Sequence, residues 1–105
     1  MRKIGINLQN AAFRSAIPSL ITGHEFVSDQ DPECAFNIFD EVPLETPVRV
    51  TIVVCLGTLS KREKEAEHRD RNLPADMVMI VTLHQLRTVV EGQSSRFANP
   101  ILVAA

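Results

Sequence analysis

Val48-Arg49-Val50-Thr51-Ile52-Val53-Val54-Cys55-Leu56 is the most apolar run in the chain, and it is rich in β-branched residues. Apolarity that is continuous rather than alternating fits a strand covered on both faces. Met77–Thr82 has the same character, and Lys3–Leu8 reads as a shorter strand bounded by Gln9-Asn10. Strands of this kind belong in a parallel sheet, so the segments between them should cross over as helices.

The intervening segments support that expectation. Phe13, Ala16, Ile17 and Leu20 recur at i, i+3, i+4, i+7, which is one face of a helix, and Asn10 is its natural N-cap. Pro18 inside that span removes one hydrogen bond and should kink or end the helix, at about 3 kcal/mol if unrelieved. Gly23 stops the helix and His24–Ser28 follows as a strand.

Asp31-Pro32-Glu33 suits a helix start, with Asp capping, Pro at the first position and Glu at the positive dipole end. Ala35, Ile38, Phe39 and Val42 would be that second helix's buried face. Gly57-Thr58 breaks the Val48–Leu56 strand. Ser60 and Glu63 form a capping-box pattern before a nearly all-charged helix over Lys61–Asn72. Leu86, Val89 and Val90 mark a weak amphipathic helix ended by Gly92, and Ile101–Val103 reads as a last strand.

The resulting order, β-α-β-α-β-α-β-α-β, predicts a doubly wound α/β fold: a five-stranded parallel sheet with helices on both faces. The 105 residues are enough for one small domain, 1–105, and too few for two. A net charge of −2 and a pI near 5.9 do not suggest direct nucleic-acid binding, which usually needs a basic stripe. Cys34 and Cys55 lie far apart with no C-x-x-C pair, so two reduced thiols in a cytoplasmic protein are expected. No apolar run approaches the length of a membrane span, and no secretory signal is expected.

Several short motifs occur in order. Lys3-Ile4-Gly5-Ile6, then Asn10-Ala11-Ala12-Phe13-Arg14 and Leu20, resembles the opening of a response-regulator receiver domain. The subgroup with helix-turn-helix output domains is the nearest in pattern. Gly23-His24-Glu25-Phe26-Val27 with Asp31-Pro32-Glu33-Cys34-Ala35 resembles that family's second strand and helix. Asn72–Thr82 resembles the approach to its fourth strand. The resemblance implies a flavodoxin-like arrangement that lacks the last helix, since receivers continue into a fifth.

The resemblance also implies where chemistry should lie, and there the residues depart from it. The acidic pair that binds magnesium falls on Leu8 and Gln9. The phosphoacceptor falls on Val54, or on Cys55 if the register slips by one. The switch hydroxyl matches Thr82, and the lysine falls on Ala104. Magnesium needs oxygen ligands, which Leu and Val do not supply, and phosphoryl transfer rests on electrostatic positioning. The expectation is a pseudo-receiver with no catalytic residue, metal or cofactor. It would act through a protein partner, as a homodimer or through an output domain in transcription regulation. Leu86, Val89, Val90 and Phe97 are the candidate interaction surface.

A second reading is a small-molecule sensor with an apolar pocket at the carboxyl ends of the strands. A third is an enzyme using Cys55, for which no activating partner is visible. Cys34 and Cys55 otherwise read as structural thiols, Thr82 as a strand-end hydroxyl and His84 as a surface or capping histidine. Glu65 and His68, three apart on one helix face, lack the further ligands of a metal site.

Overall fold

In the computed structural model, five parallel strands form one sheet flanked by three helices. The structure describes residues 2–98, with side chains through Gly92. The elements in chain order are β1 (Arg2–Asn7), α1 (Ala11–Leu20), β2 (His24–Ser28), β3 (Phe36–Phe39), β4 (Thr51–Cys55), α2 (Thr58–Asp70), β5 (Val78–Thr82) and α3 (Leu83–Ala98). The strands lie in the order β2-β1-β3-β4-β5, every neighbouring pair parallel. This is the flavodoxin-like α/β arrangement, and no helix follows α3 among the described residues.

The main correction concerns the expected second helix. Asp31 does form a turn: its Oδ1 accepts the Glu33 N–H at 2.9 Å. The chain then enters β3 rather than a helix. Ala35, Ile38, Phe39 and Val42 fit a helical period, but Phe36 and Ile38 alternate with Asn37 and Phe39 equally well. β3 is paired on both sides, with β1 and with β4, so the ladder bonds override a marginal local preference. Val48–Leu56 consequently supplies β4, and Met77–Thr82 supplies β5. Two smaller expectations also change. Gly57, not Ser60, is the N-cap of α2, and α3 runs on through Gly92 to Ala98. The strand expected at Ile101–Val103 lies outside the described residues.

Side-chain alternation divides the core between the two faces of the sheet. One cluster joins Ile4, Phe36, Ile38, Ile52 and Val54 to Phe13 and Ile17 of α1 and to Leu86 and Val90 of α3. The second, smaller cluster holds Val42, Val53, Leu73 and Val78. It lies on the face where α2 contacts β4 and β5. Every residue of β4 is buried, as its unbroken apolar run implies. α2 buries none of its residues, as its charge implies. Pro18 is accommodated inside α1, which ends at Leu20. Asn10 caps that helix, its Oδ1 accepting the Ala12 N–H at 2.8 Å.

The β2–β3 and β3–β4 connections carry no helix. Residues 29–35 return directly across β1. They pass so close that a Cβ placed on Gly5 would lie 2.9 Å from the Asp29 Cα and 3.0 Å from the Cys34 Sγ. The α2 face of the sheet is therefore covered by a helix over β4 and β5, and by loops over β1 and β3.

Candidate functional site at the carboxyl ends of the strands

In an open parallel sheet, ligand sites form where the strands deliver their carboxyl ends. Here β1 ends in Asn7-Leu8-Gln9-Asn10 and β3 ends in Phe39-Asp40-Glu41. Asp40 is only 6% exposed. Its Oδ1 accepts the Gln9 N–H at 3.0 Å, and its Oδ2 accepts the Asn10 N–H at 2.7 Å. The carbonyls of the same turn are met from the other side. Arg14 Nη1 donates to Leu8 O at 2.9 Å and to Gln9 O at 3.0 Å.

Cys55 and Thr82 face each other as register partners at the ends of β4 and β5. α2 contributes Ser60 and Lys64, and Lys64 Nζ contacts the Glu41 carboxylate at 2.8 Å. Asn10, Asp40, Glu41, Cys55, Ser60 and Lys64 line a pocket of about 160 Å³. That is room for a small ion or a few waters rather than for an organic cofactor.

The expected site residues distribute unevenly. Gln9 is exposed at the end of β1, its Nε2 donating to Asn7 Oδ1 at 2.8 Å. Leu8 and Val54 point into the core between the sheet and α1/α3. Val54 and Cys55 close β4, whereas the strand beside β1 is β3, so the acceptor position drawn from the resemblance is displaced by one strand. Asp40 occupies the end of that neighbouring strand. Thr82 precedes α3, and its N–H donates to Gln85 Oε1 at 3.1 Å, half of a capping box. Ala104 lies outside the described residues.

Asp40, Glu41 and Lys64 were not anticipated. The signal that marks the two acids is Phe36–Phe39, apolar apart from Asn37, set between Pro32 and Pro43 and followed at once by Asp40 and Glu41; no local signal marks Lys64.

The expected interaction surface also changes. Leu86 and Val90 have no exposed surface and belong to the core. Val89 packs against the same cluster, and the side chain of Phe97 lies outside the description. Among the described residues apolar exposure is found instead at Leu44 (80%) and Val48 (87%), before β4, and at Leu56 (66%) and Leu59 (72%), after it. With Ala16, Leu20, Leu83 and His84, Leu56 lines a shallow concavity of about 690 Å³. The neighbourhood of Glu65 and His68 assembles no metal site: no group of three metal-ligating side chains occurs among the described residues.

Burial pushes the Cys55 thiol above its ordinary value, and the nearby Lys64 and Lys61 charges offset this only in part. Burial likewise raises Cys34. Burial pulls Lys64 down, but the hydrogen bond and charge of Glu41 outweigh it and the net shift is upward. Lys3 is raised by its hydrogen bond to Glu33 and by Asp31. All four groups hold their protons more tightly folded than unfolded. Unfolding therefore releases protons, and the stability they contribute is present below the ordinary thiol value of 9.0 and lost as pH rises through the folded values. The urea midpoint should be lower at about pH 10 than at about pH 7. Cys55 should alkylate more slowly in the native chain than in urea, followed by mass spectrometry against time.

No helix among the described residues is long and apolar enough to cross a membrane. No family model matches the chain, and no curated protein or solved structure matches it either.

Proposed function

We propose that the chain is a receiver-like regulatory module that takes up no phosphoryl group and works through protein contact, as a homodimer or by control of an output domain. The observation that carries this reading is the engagement of Asp40. Both oxygens of the Asp40 carboxylate, at the end of the central strand, are bound to backbone N–H groups of the β1–α1 turn. Leu8 and Gln9 beside it supply no acidic ligand. A phosphoryl group on Asp40 would have to displace at least one of these bonds, and the one further carboxylate lining the pocket, Glu41, is held by Lys64 rather than offered to a magnesium ion. The carboxylate acts instead as a brace between β3 and the start of α1.

The contact surface we assign is the exposed apolar pair after β4, Leu56 and Leu59, with Leu20 sharing the concavity that Leu56 lines. Contiguous exposed apolar side chains mark interaction sites more often than isolated ones do.

Incubation with a small acyl phosphate and magnesium should leave the intact mass unchanged, and a stable phosphoryl adduct on Asp40 would overturn the reading. Light scattering should show a concentration-dependent dimer that Leu59→Asp abolishes without lowering the melting temperature, because Leu59 is 72% exposed.

A second reading, a small-molecule sensor, is favoured by one observation. The concavity beside Leu56 and Leu83 is mostly apolar and opens at the carboxyl ends of the strands. A metabolite that raises the melting temperature by mass action, and loses that effect in Leu83→Asp, would select it over the contact surface.

A further inference from the structure

α2 covers one face of β4 and β5 without contributing to the core there. The cluster on that face holds Val42, Val53, Leu73 and Val78, with Phe39, Met77 and Ile80 packed against it, and no side chain of α2 is among them. α1 buries Phe13 and Ile17, and α3 buries Leu86 and Val90, but α2 buries nothing. Its half-buried residues include Lys61, Lys64, Glu65 and His68. The stems of such side chains can screen an apolar face while their charged heads stay in water. His68 Nε2 is buried with no hydrogen-bond partner, a cost of the closed arrangement that opening relieves.

The attachments of α2 are polar. Lys64 Nζ meets the Glu41 carboxylate at 2.8 Å, Arg71 Nη1 donates to Val42 O at 2.6 Å, and Lys61 Nζ reaches Gln85 Oε1 at 3.5 Å. The N-cap, Gly57, makes no side-chain bond, and no acid in the first turn meets the helix dipole. The sheet does not depend on this helix. β4 and β5 are joined by their own ladder, and on the other face Ile52, Val54 and Val81 pack with Leu86 and Val90. Freeing the segment from Gly57 to Asn72 restores its conformational entropy, which offsets the exposure of Val53 and Val78. We propose that α2 is a polar-latched lid, which opens as one unit between Gly57 and Asn72 while the five-stranded sheet stays folded. Asn72, with φ at 53°, marks the end of the lid in the left-handed region. Cys55 shares the face of Val53 by alternation and lines a pocket with Ser60 and Lys64 of α2, so opening gives access to its thiol. Leu59 lies in the first turn of α2, so opening also dismantles the Leu56–Leu59 surface; this last step rests on the contact reading of function.

The test is native-state hydrogen exchange on the intact chain, followed by NMR in low concentrations of urea. The α2 amides should share one opening, with a smaller urea dependence than that of β4 and a population at least about tenfold higher. Ile52→Val weakens the opposite face, which stays packed when the lid opens. It should therefore raise β4 exchange about fivefold and leave α2 exchange unchanged. Glu41→Gln releases the Lys64 latch and should raise α2 exchange about threefold. His68→Leu removes the unpaired nitrogen and should slow it. Alkylation of Cys55 in the native chain should follow α2, rising in Glu41→Gln and not in Ile52→Val. Higher chain concentration should slow α2 exchange where Leu59 makes its contact. Rapid α2 exchange that is independent of concentration would keep the lid and remove the contact reading. The lid is overturned if Ile52→Val accelerates α2 and β4 equally, because α2 would then open only with the whole domain. It is also overturned if α2 amides exchange one by one without urea dependence, which is fraying.

Discussion

Gly5→Ala is expected to destabilise the chain by about 3 kcal/mol, a large share of the roughly 5–15 kcal/mol available to a small domain. The cause is the short route taken by residues 29–35. A parallel crossover normally places a helix about 10 Å above the sheet, which leaves ample room for side chains on the strand beneath. Here bare backbone crosses β1, and the added methyl would lie 2.9 Å from the Asp29 Cα and 3.0 Å from the Cys34 Sγ. It would also overlap Asn37 Oδ1. Asn37 could swing aside, but the Asp29 Cα belongs to a connection tied at both ends. Asp31 N–H is bonded to Ser28 O at 3.0 Å, and Ala35 N–H to Lys3 O at 2.9 Å. Relief therefore requires lifting the loop and breaking ladder-like bonds. A shift of about 10 °C or more in Tm follows for a domain of this size. Gly92→Ala is the control. Its Cβ would meet nothing within 4 Å and it lies on the exposed side of α3, so it should stabilise by about 0.5–1 kcal/mol. Equal effects at the two glycines would show that Gly5 is retained for chain flexibility rather than for lack of space.

The same crossover explains which parts of the fold are legible in the sequence. β4 and β5 announce themselves because both are long apolar runs with β-branched residues, and α1 because its cap, its period and its stop at Gly23 agree. α2 is visible for the opposite reason, since a segment of alternating charges has nowhere to go but the solvent. β3 is hidden. Its four residues are too few to distinguish a period of 2 from a period of 3.6, and the helix-start signal at Asp31-Pro32-Glu33 is real chemistry that serves a turn. The decision belongs to β1 and β4, which offer β3 hydrogen bonds on both sides, and no local rule sees them.

The misreading propagates to the site. Once β3 is taken for a helix, Val54 and Cys55 move into the place beside β1, and Asp40 disappears into the expected helix, between Phe39 and Val42 of its buried face. The absence of an acidic side chain at Leu8 and Gln9 does not depend on that slip, because β1 lies where the sequence places it. The supporting role of Asp40 could not be read at all, since it depends on backbone N–H groups that lie 30 and 31 positions away in sequence.

Asp40→Ala is the second substitution with a large expected effect, about 3 kcal/mol. Hydrogen bonds to a charged acceptor contribute about 1.5–3 kcal/mol each, and removing the carboxylate strands two donors at once. The Gln9 and Asn10 N–H groups open the turn that leads into α1, so the anion also sits at the positive end of that helix, where charge is worth a further few tenths to 1 kcal/mol. Water can reach part of this turn, because both residues are exposed on their outer sides, and that keeps the loss near the lower bound of two full bonds. Asp40→Asn should fall between wild type and Ala: one amide oxygen still accepts, while the new NH₂ group faces a donor and repels it. The ordering wild type, Asn, Ala in urea midpoint distinguishes a brace from a surface carboxylate, for which all three would agree within about 0.5 kcal/mol. Arg14→Met should show part of the same loss, because it strands the Leu8 and Gln9 carbonyls on the opposite side of the turn. In a double variant with Asp40→Ala the two losses should combine to less than their sum, since one turn can be released only once. Strict additivity would mean that Asp40 and Arg14 support separate structures, and Asp40 would then be free to serve as an acceptor rather than as the anchor of β1 to α1.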